Sequence, residues 1–192
     1  MYCAVTGETK CKCADPKPKV NDIDLKSALR KLFTDHGVFT KFVANAIVDG
    51  TQDVDALVPR LLQNQIDIGN QLKPIVGVEK GKKASVLLMR HIELAAEVIK
   101  AAKGKSSTLN DQIAKLFSNS EEIAKFLTSL NPKKLPYSAT KSMFDMHNQF
   151  VIDMTVARLS KEFQKEIKLY DAYYNELLQM SDSIYNALWY YS

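Results

Sequence analysis

Three short stretches decide how this chain is read: Leu32-Phe33-Thr34-Asp35-His36, Leu87-Leu88-Met89-Arg90-His91 and Met143-Phe144-Asp145-Met146-His147. Each holds a large apolar pair, two variable residues and a histidine, and three residues later comes Phe39, Leu94 or Phe150. These are all the histidines of the 192-residue chain, and they stand 55 and 56 residues apart. Spacing that regular marks an internal repeat.

Outward from the histidines the match continues. Arg60-Leu61-Leu62-Gln63-Asn64-Gln65-Ile66-Asp67-Ile68 aligns with Lys115-Leu116-Phe117-Ser118-Asn119-Ser120-Glu121-Glu122-Ile123, and both asparagines fall 28 residues after their histidine. In the third copy Lys168-Leu169-Tyr170 matches the opening, and its polar partner is Asp171 or Asn175, depending on where a short deletion is placed. Each copy reads as two helices. Apolar residues recur at three- and four-residue spacing from Asn21 or Asp22, the candidate cap of the first helix, up to Gly50. Further periodic stretches cover about 54 to 73, stopped by Pro74 and Gly77; 81 to 102, ending at Gly104; and a fourth, capped by Ser106 or Ser107, that stops at Asn131-Pro132. Pro136 opens the fifth helix. From there to Ser192 no glycine or proline occurs, so repeat phasing alone places a turn near Ser160, with one long helix as the alternative. No segment alternates with period two, so no sheet is expected.

A helical pair cannot bury its apolar face alone, and short connections favour antiparallel neighbours. The expected fold is therefore all-α, a compact six-helix bundle of three tandem helical hairpins. Its units cover about 22–77, 78–132 and 133–190 within a single domain at 21–192, preceded by a Cys- and Lys-containing tail at 1–20. Hydrophobic residues at 46% and charged ones at 25% are ordinary globular usage, which argues against wholesale disorder. No window approaches the roughly 18 apolar residues of a membrane span, and the first residues do not resemble a secretory signal. The expectation is an intracellular, cytoplasmic protein. Cys3, Cys11 and Cys13 all lie in the tail; three cysteines do not make a disulfide framework, and a closed zinc site lacks its fourth ligand there. The formal charge of +4 is too small to imply nucleic acid by itself.

The run from Leu32 through Arg60-Leu61-Leu62-Gln63-Asn64-Gln65-Ile66-Asp67-Ile68-Gly69 to His91-Ile92, continued at Asn119, Asn131-Pro132, His147 and Met180-Ser181-Asp182, resembles an uncharacterised family of small all-helical proteins found in bacteria and some large DNA viruses. The resemblance spans about 29 to 185. It implies no established reaction, and a viral source would make the protein a candidate virion component. The chain departs from that family in its Cys-Lys tail and in its close, Trp189-Tyr190-Tyr191, where bacterial members end in a Gln-Phe-Pro-like sequence.

Around each histidine the positions at −4, −3, +3 and +7 are apolar, which places the ring on the buried stripe of its helix. Buried imidazoles need partners, and two readings compete. In the structural one, His36, His91 and His147 bond to Asn64, Asp67, Asn119, Glu122 and Asn175 and fix helix register. In the other they meet at a metal or small ligand: three imidazoles with an open fourth position suit zinc or iron, with Asp67 or Glu122 as a further ligand or as an acceptor behind a ring. A di-iron bundle wants a carboxylate three residues before each histidine, and Phe33, Leu88 and Phe144 stand there. No cofactor is predicted. Nucleophile and base pairs are unmarked, so an enzyme is not expected. The last helix carries Tyr174, Tyr185, Trp189, Tyr190 and Tyr191, more aromatics than one buried stripe uses, which makes them interface candidates for self-association, as a homodimer, or for other proteins. The resulting expectation is a non-enzymatic scaffold or protein-interaction bundle, the alternative being a histidine-lined metal or small-ligand binder.

Overall fold

The computed structural model describes residues 22 to 189, with side chains from Asp24 onward, so the tail cysteines and the Asn21 cap lie outside the described residues, as do Tyr190 and Tyr191. Six helices follow in order: α1 Asp22–Asp49, α2 Val54–Val76, α3 Val78–Lys103, α4 Leu109–Leu130, α5 Tyr137–Leu159 and α6 Phe163–Trp189. Among the described residues no strand occurs. The all-α six-helix reading holds, and α5 and α6 are separate, with the break beside Ser160 where the phasing put it.

The three hairpins turn by one device. At Gly50, Lys105 and Lys161 the backbone enters the left-handed region, with φ of 76°, 49° and 59°. The next residue then donates back across the turn, Thr51 N to Ala46 O, Ser106 N to Ala101 O and Glu162 N to Ala157 O, at 3.1, 2.9 and 2.8 Å. This closes the helix end by a bond from the second residue past the cap to the carbonyl five residues earlier, with a left-handed residue between. Each of these residues lies 14 after its histidine, so the repeat is written in backbone geometry as well as in side chains. Only the first is glycine. Lysine occupies the other two, and for that reason no glycine or proline announces the turn between α5 and α6.

Pro74 does not end α2, contrary to expectation. The helix carries it in its last turn, runs on to Val76, and is stopped by Gly77 at φ 91°, from which α3 starts directly. α2 and α3 then pack very closely. A Cβ on Gly81 would lie 2.7 Å from Gly69 O, and one on Gly69 would lie 2.6 Å from Gly81 O and meet Ser85 as well. Only glycine fits at either position.

Each helix packs on its neighbour in sequence and α6 returns onto α1, closing the ring, while α1, α3 and α5 also touch one another. The first helices of the three units therefore form an inner triangle, and the second helices sit over its seams. Leu25, Leu29, Leu61, Leu130, Leu177 and Leu188 are among the fully buried side chains of the main core. The histidine-bearing helices are the inner ones, which sets the site.

Candidate functional site

His36, His91 and His147 are all buried, at 7%, 5% and 4% exposure. His147 lies between the other two: its ring centroid is 5.5 Å from His36 and 5.9 Å from His91. Tyr173 packs on the same ring at 5.1 Å.

Each imidazole is held through Nδ1 by the second helix of its own unit. His91 Nδ1–H donates to Asn119 Oδ1 at 3.0 Å, and Asn119 Nδ2 donates to Leu87 O, the carbonyl four residues before the histidine. In the first unit Asn64 Nδ2 donates to the equivalent carbonyl of Leu32 at 3.0 Å. The ring there is reached by Gln65 instead, whose Nε2 donates to His36 Nδ1 at 3.1 Å and also contacts Asn64 Oδ1 and Leu61 O. In the third unit His147 Nδ1–H donates to Glu176 Oε2 at 3.2 Å. Glu176 is 29 residues past its histidine, and its other oxygen, Oε1, is buried without a partner.

Several sequence expectations are corrected here. Asn119 is the partner of His91 as read, but Asn64 meets His36 only through Gln65. Asn175 is exposed, and the ring partner is Glu176, at the same 29-residue separation that Gln65 has from His36. Asp67 faces sideways and accepts from Gln63 Nε2 at 2.9 Å, and Glu122 is exposed. Neither carboxylate belongs to the buried network: Asp67 is engaged with Gln63 along its own helix and Glu122 lies in solvent. Gln65 and Glu176 were missed for want of any signal except inward helical phase. The metal arrangement asks ring nitrogens to converge, whereas the His36 and His147 rings are stacked, with 29° between their planes. Among the described residues no group of three or more His, Cys, Asp or Glu side chains is disposed to hold a metal ion.

Burial pushes His36 well below the usual imidazole pKa, with His147 and then His91 adding repulsion. His91 is lowered to about 3, again by burial first and His147 second, against an opposing contribution from its bond to Asn119. Burial likewise raises the Tyr173 phenol. The three rings border an internal cavity of about 40 Å³ whose other walls are almost wholly apolar, among them Ala84, Leu88, Phe144, Leu177 and Met180.

A second polar cluster lies at the end of the bundle where α1 and α5 finish and α6 begins. Glu166 is 2% exposed and sits between two cations: Lys41 Nζ contacts Oε1, and Arg158 Nη1 donates to Oε2 at 3.2 Å. Arg158 Nε also reaches Asp49 Oδ1 at 3.2 Å, and Lys41 Nζ donates to Asn45 Oδ1 at the same distance. Burial, then Arg158, lowers Lys41 to about 8 while Asp49 opposes. The same three helices carry exposed apolar side chains: Phe42 at 51%, Val156 at 48%, Leu159 at 37%, Phe163 at 50% and Ile167 at 53%. The Arg158 guanidinium lies 5.6 Å over the Phe163 ring, which ties the patch to the ion cluster.

Of the aromatics expected at an interface, the described ones, Tyr174, Tyr185 and Trp189, are buried or half-buried. Tyr185 is buried at 7% exposure and stacks on Trp189 at 6.2 Å, with Lys26 Nζ 5.6 Å from its centroid. Tyr174 is half-buried, its hydroxyl 3.4 Å from Thr34 Oγ1. Tyr185 is therefore withdrawn as an interface residue, since its surface is spent on the core. The exposed apolar set at the α6 N-terminus was not legible, because it depends on which helix ends meet. No helix among the described residues is long and apolar enough to cross a membrane.

Comparison of the chain with protein-family models, with curated proteins and with solved structures finds no match.

Proposed function

We propose that this protein is a non-enzymatic interaction scaffold that joins a second copy of itself through the end of the bundle where α1 and α5 finish and α6 begins. One observation carries the reading. Phe42, Phe163 and Ile167 are each at least half exposed and come from two of the three helices, α1, α5 and α6, that Lys41 and Arg158 tie together on the buried Glu166. Several large apolar side chains left exposed on helices held rigidly together mark a candidate protein contact site. Arginine and phenylalanine at its centre are residue types enriched in such contacts. The interior supports the scaffold half of the proposal: each histidine is bound to the second helix of its own unit, which fixes the register of every hairpin. With a viral source, the same properties suit a structural component of the particle.

Light scattering on a concentration series of the full chain tests this. Association with a midpoint in the micromolar range is expected for the wild type, and the monomer mass for Phe42→Ser/Phe163→Ser/Ile167→Ser with an unchanged helical spectrum. A wild type that stays monomeric at high concentration, or a triple variant that associates equally well, overturns the proposal.

A further inference from the structure

The cavity beside the three histidines has a hydrogen-bonding pattern that follows from how the rings are held. Gln65 offers an N–H to His36 Nδ1, so Nδ1 is an acceptor and the ring proton resides on Nε2. His91 is the reverse: Asn119 Nδ2 is engaged with Leu87 O, its oxygen receives the proton of His91 Nδ1, and Nε2 is left as a bare acceptor. His147 also gives its Nδ1 proton away, to Glu176. The polar atoms these rings bring to an otherwise apolar space are therefore unlike, a donor from His36 and acceptors from His91 and His147.

We propose that this cavity is a binding site for one small hydroxyl-bearing molecule, water in the protein alone and a short aliphatic alcohol when one is supplied. A hydroxyl both donates and accepts at a single atom, so it suits a wall that offers both an Nε2–H and bare Nε2 atoms. A carbonyl cannot donate, an ammonium cannot accept, and an anion would face the lone pair of His91 with no cation assigned to meet it. Volume sets the size. At about 40 Å³ the space exceeds the roughly 10–15 Å³ that one water needs, which admits a few waters or an alcohol of about two or three carbons. The apolar walls, Leu88, Leu177 and Met180 among them, suit the alkyl arm.

The test uses full-length protein labelled with 15N at histidine and 13C at the methionine methyls. Long-range proton–nitrogen spectra report the tautomers, oxygen-17 relaxation of the solvent reports long-lived internal water, and titrations with ethanol, 1-propanol and xenon separate hydroxyl binding from filling of a void. Expected are Nε2–H at His36, Nδ1–H at His91, at least one long-lived water, and saturable shifts of His91 and Met180 with 1-propanol. Ala84→Val narrows the space without touching a histidine and is expected to remove the long-lived water and weaken 1-propanol more than tenfold. Leu88→Phe fills the same space if that variant does not fold. Xenon that shifts Met180 in a protein with no long-lived water shows a dry void and overturns the proposal. So does the opposite tautomer at either ring, or an alcohol response that survives a filled cavity.

Discussion

Acidification from pH 7.5 to pH 5 should unfold this protein far more readily than its modest charge suggests. His36 and His91 are held in the folded state well below their ordinary value of 6.5, His91 at about 3, with burial as the first cause. The unfolded chain takes up these two protons as pH drops through 6.5 and the folded chain does not, so stability is complete above that value and declines below it. For His91 the loss is about 1.4 kcal/mol per pH unit, hence about 2 kcal/mol at pH 5, and it continues until pH nears 3 to total roughly 5 kcal/mol. His36 adds a loss in the same direction. Against a domain stability of about 5–15 kcal/mol, 2 kcal/mol is already a sizeable fraction. With a urea dependence of about 2–3 kcal/mol per molar, His91 alone should lower the midpoint by roughly 0.7–1 M between the two pH values. Urea unfolding followed by far-UV circular dichroism at pH 7.5, 6.5, 5.8 and 5 measures it. His91→Gln should lessen the slope, whatever it does to stability at pH 7.5. A midpoint that does not move between pH 7.5 and pH 5, or a slope unchanged in His91→Gln, refutes the reasoning.

The buried network makes unequal demands on residues that look alike in sequence. Asn119→Ala strands His91 Nδ1 and the Leu87 carbonyl and should cost about 1–3 kcal/mol, whereas Glu122→Ala and Asn175→Ala, both exposed, should stay within about 0.5 kcal/mol in the same urea assay. Glu176→Ala leaves the buried His147 Nδ1–H without its acceptor and is expected to cost about 1–3 kcal/mol, with Glu176→Gln recovering part by accepting from His147. Lys161→Gly relieves the left-handed residue between α5 and α6 and should raise the thermal midpoint by an amount equivalent to about 1 kcal/mol; a lowered midpoint would contradict the turn geometry. Gly69→Ala forces a methyl against the Gly81 carbonyl and Ser85 and should cost about 1–3 kcal/mol or prevent folding, visible as loss of the cooperative transition.

Much of the fold was legible because one signal recurred three times. The apolar spacing around His36, His91 and His147 placed each on a buried stripe, and the two asparagines at +28 marked the second helix of two units. The third unit was harder. Its partner is shifted by one residue, and in a helix one residue is 100° of rotation, enough to exchange Asn175 for Glu176 on the inward face. Gln65 was overlooked beside Asn64 for the same reason: adjacent positions share a broad inward face, and only packing decides which reaches the ring. Asp67 and Glu122 drew attention by residue type, while the packed helices leave the one bonded to Gln63 and the other exposed.

Local chemistry, then, determined the helices, their pairing and the burial of three imidazoles, since periodicity of apolar residues and the cost of exposing them act within each unit. The arrangement of the units around one another was decided by the tertiary structure. Closing α6 onto α1 brings the three rings into a row, sets a donor and an acceptor on one cavity, and gathers Lys41, Arg158, Glu166 and the exposed Phe42, Phe163 and Ile167 at one end. Several of these contacts, His36 with His147 and Lys41 with Glu166 among them, join residues more than a hundred positions apart, and no local spacing encodes them; they follow from how three similar hairpins fill a shared interior.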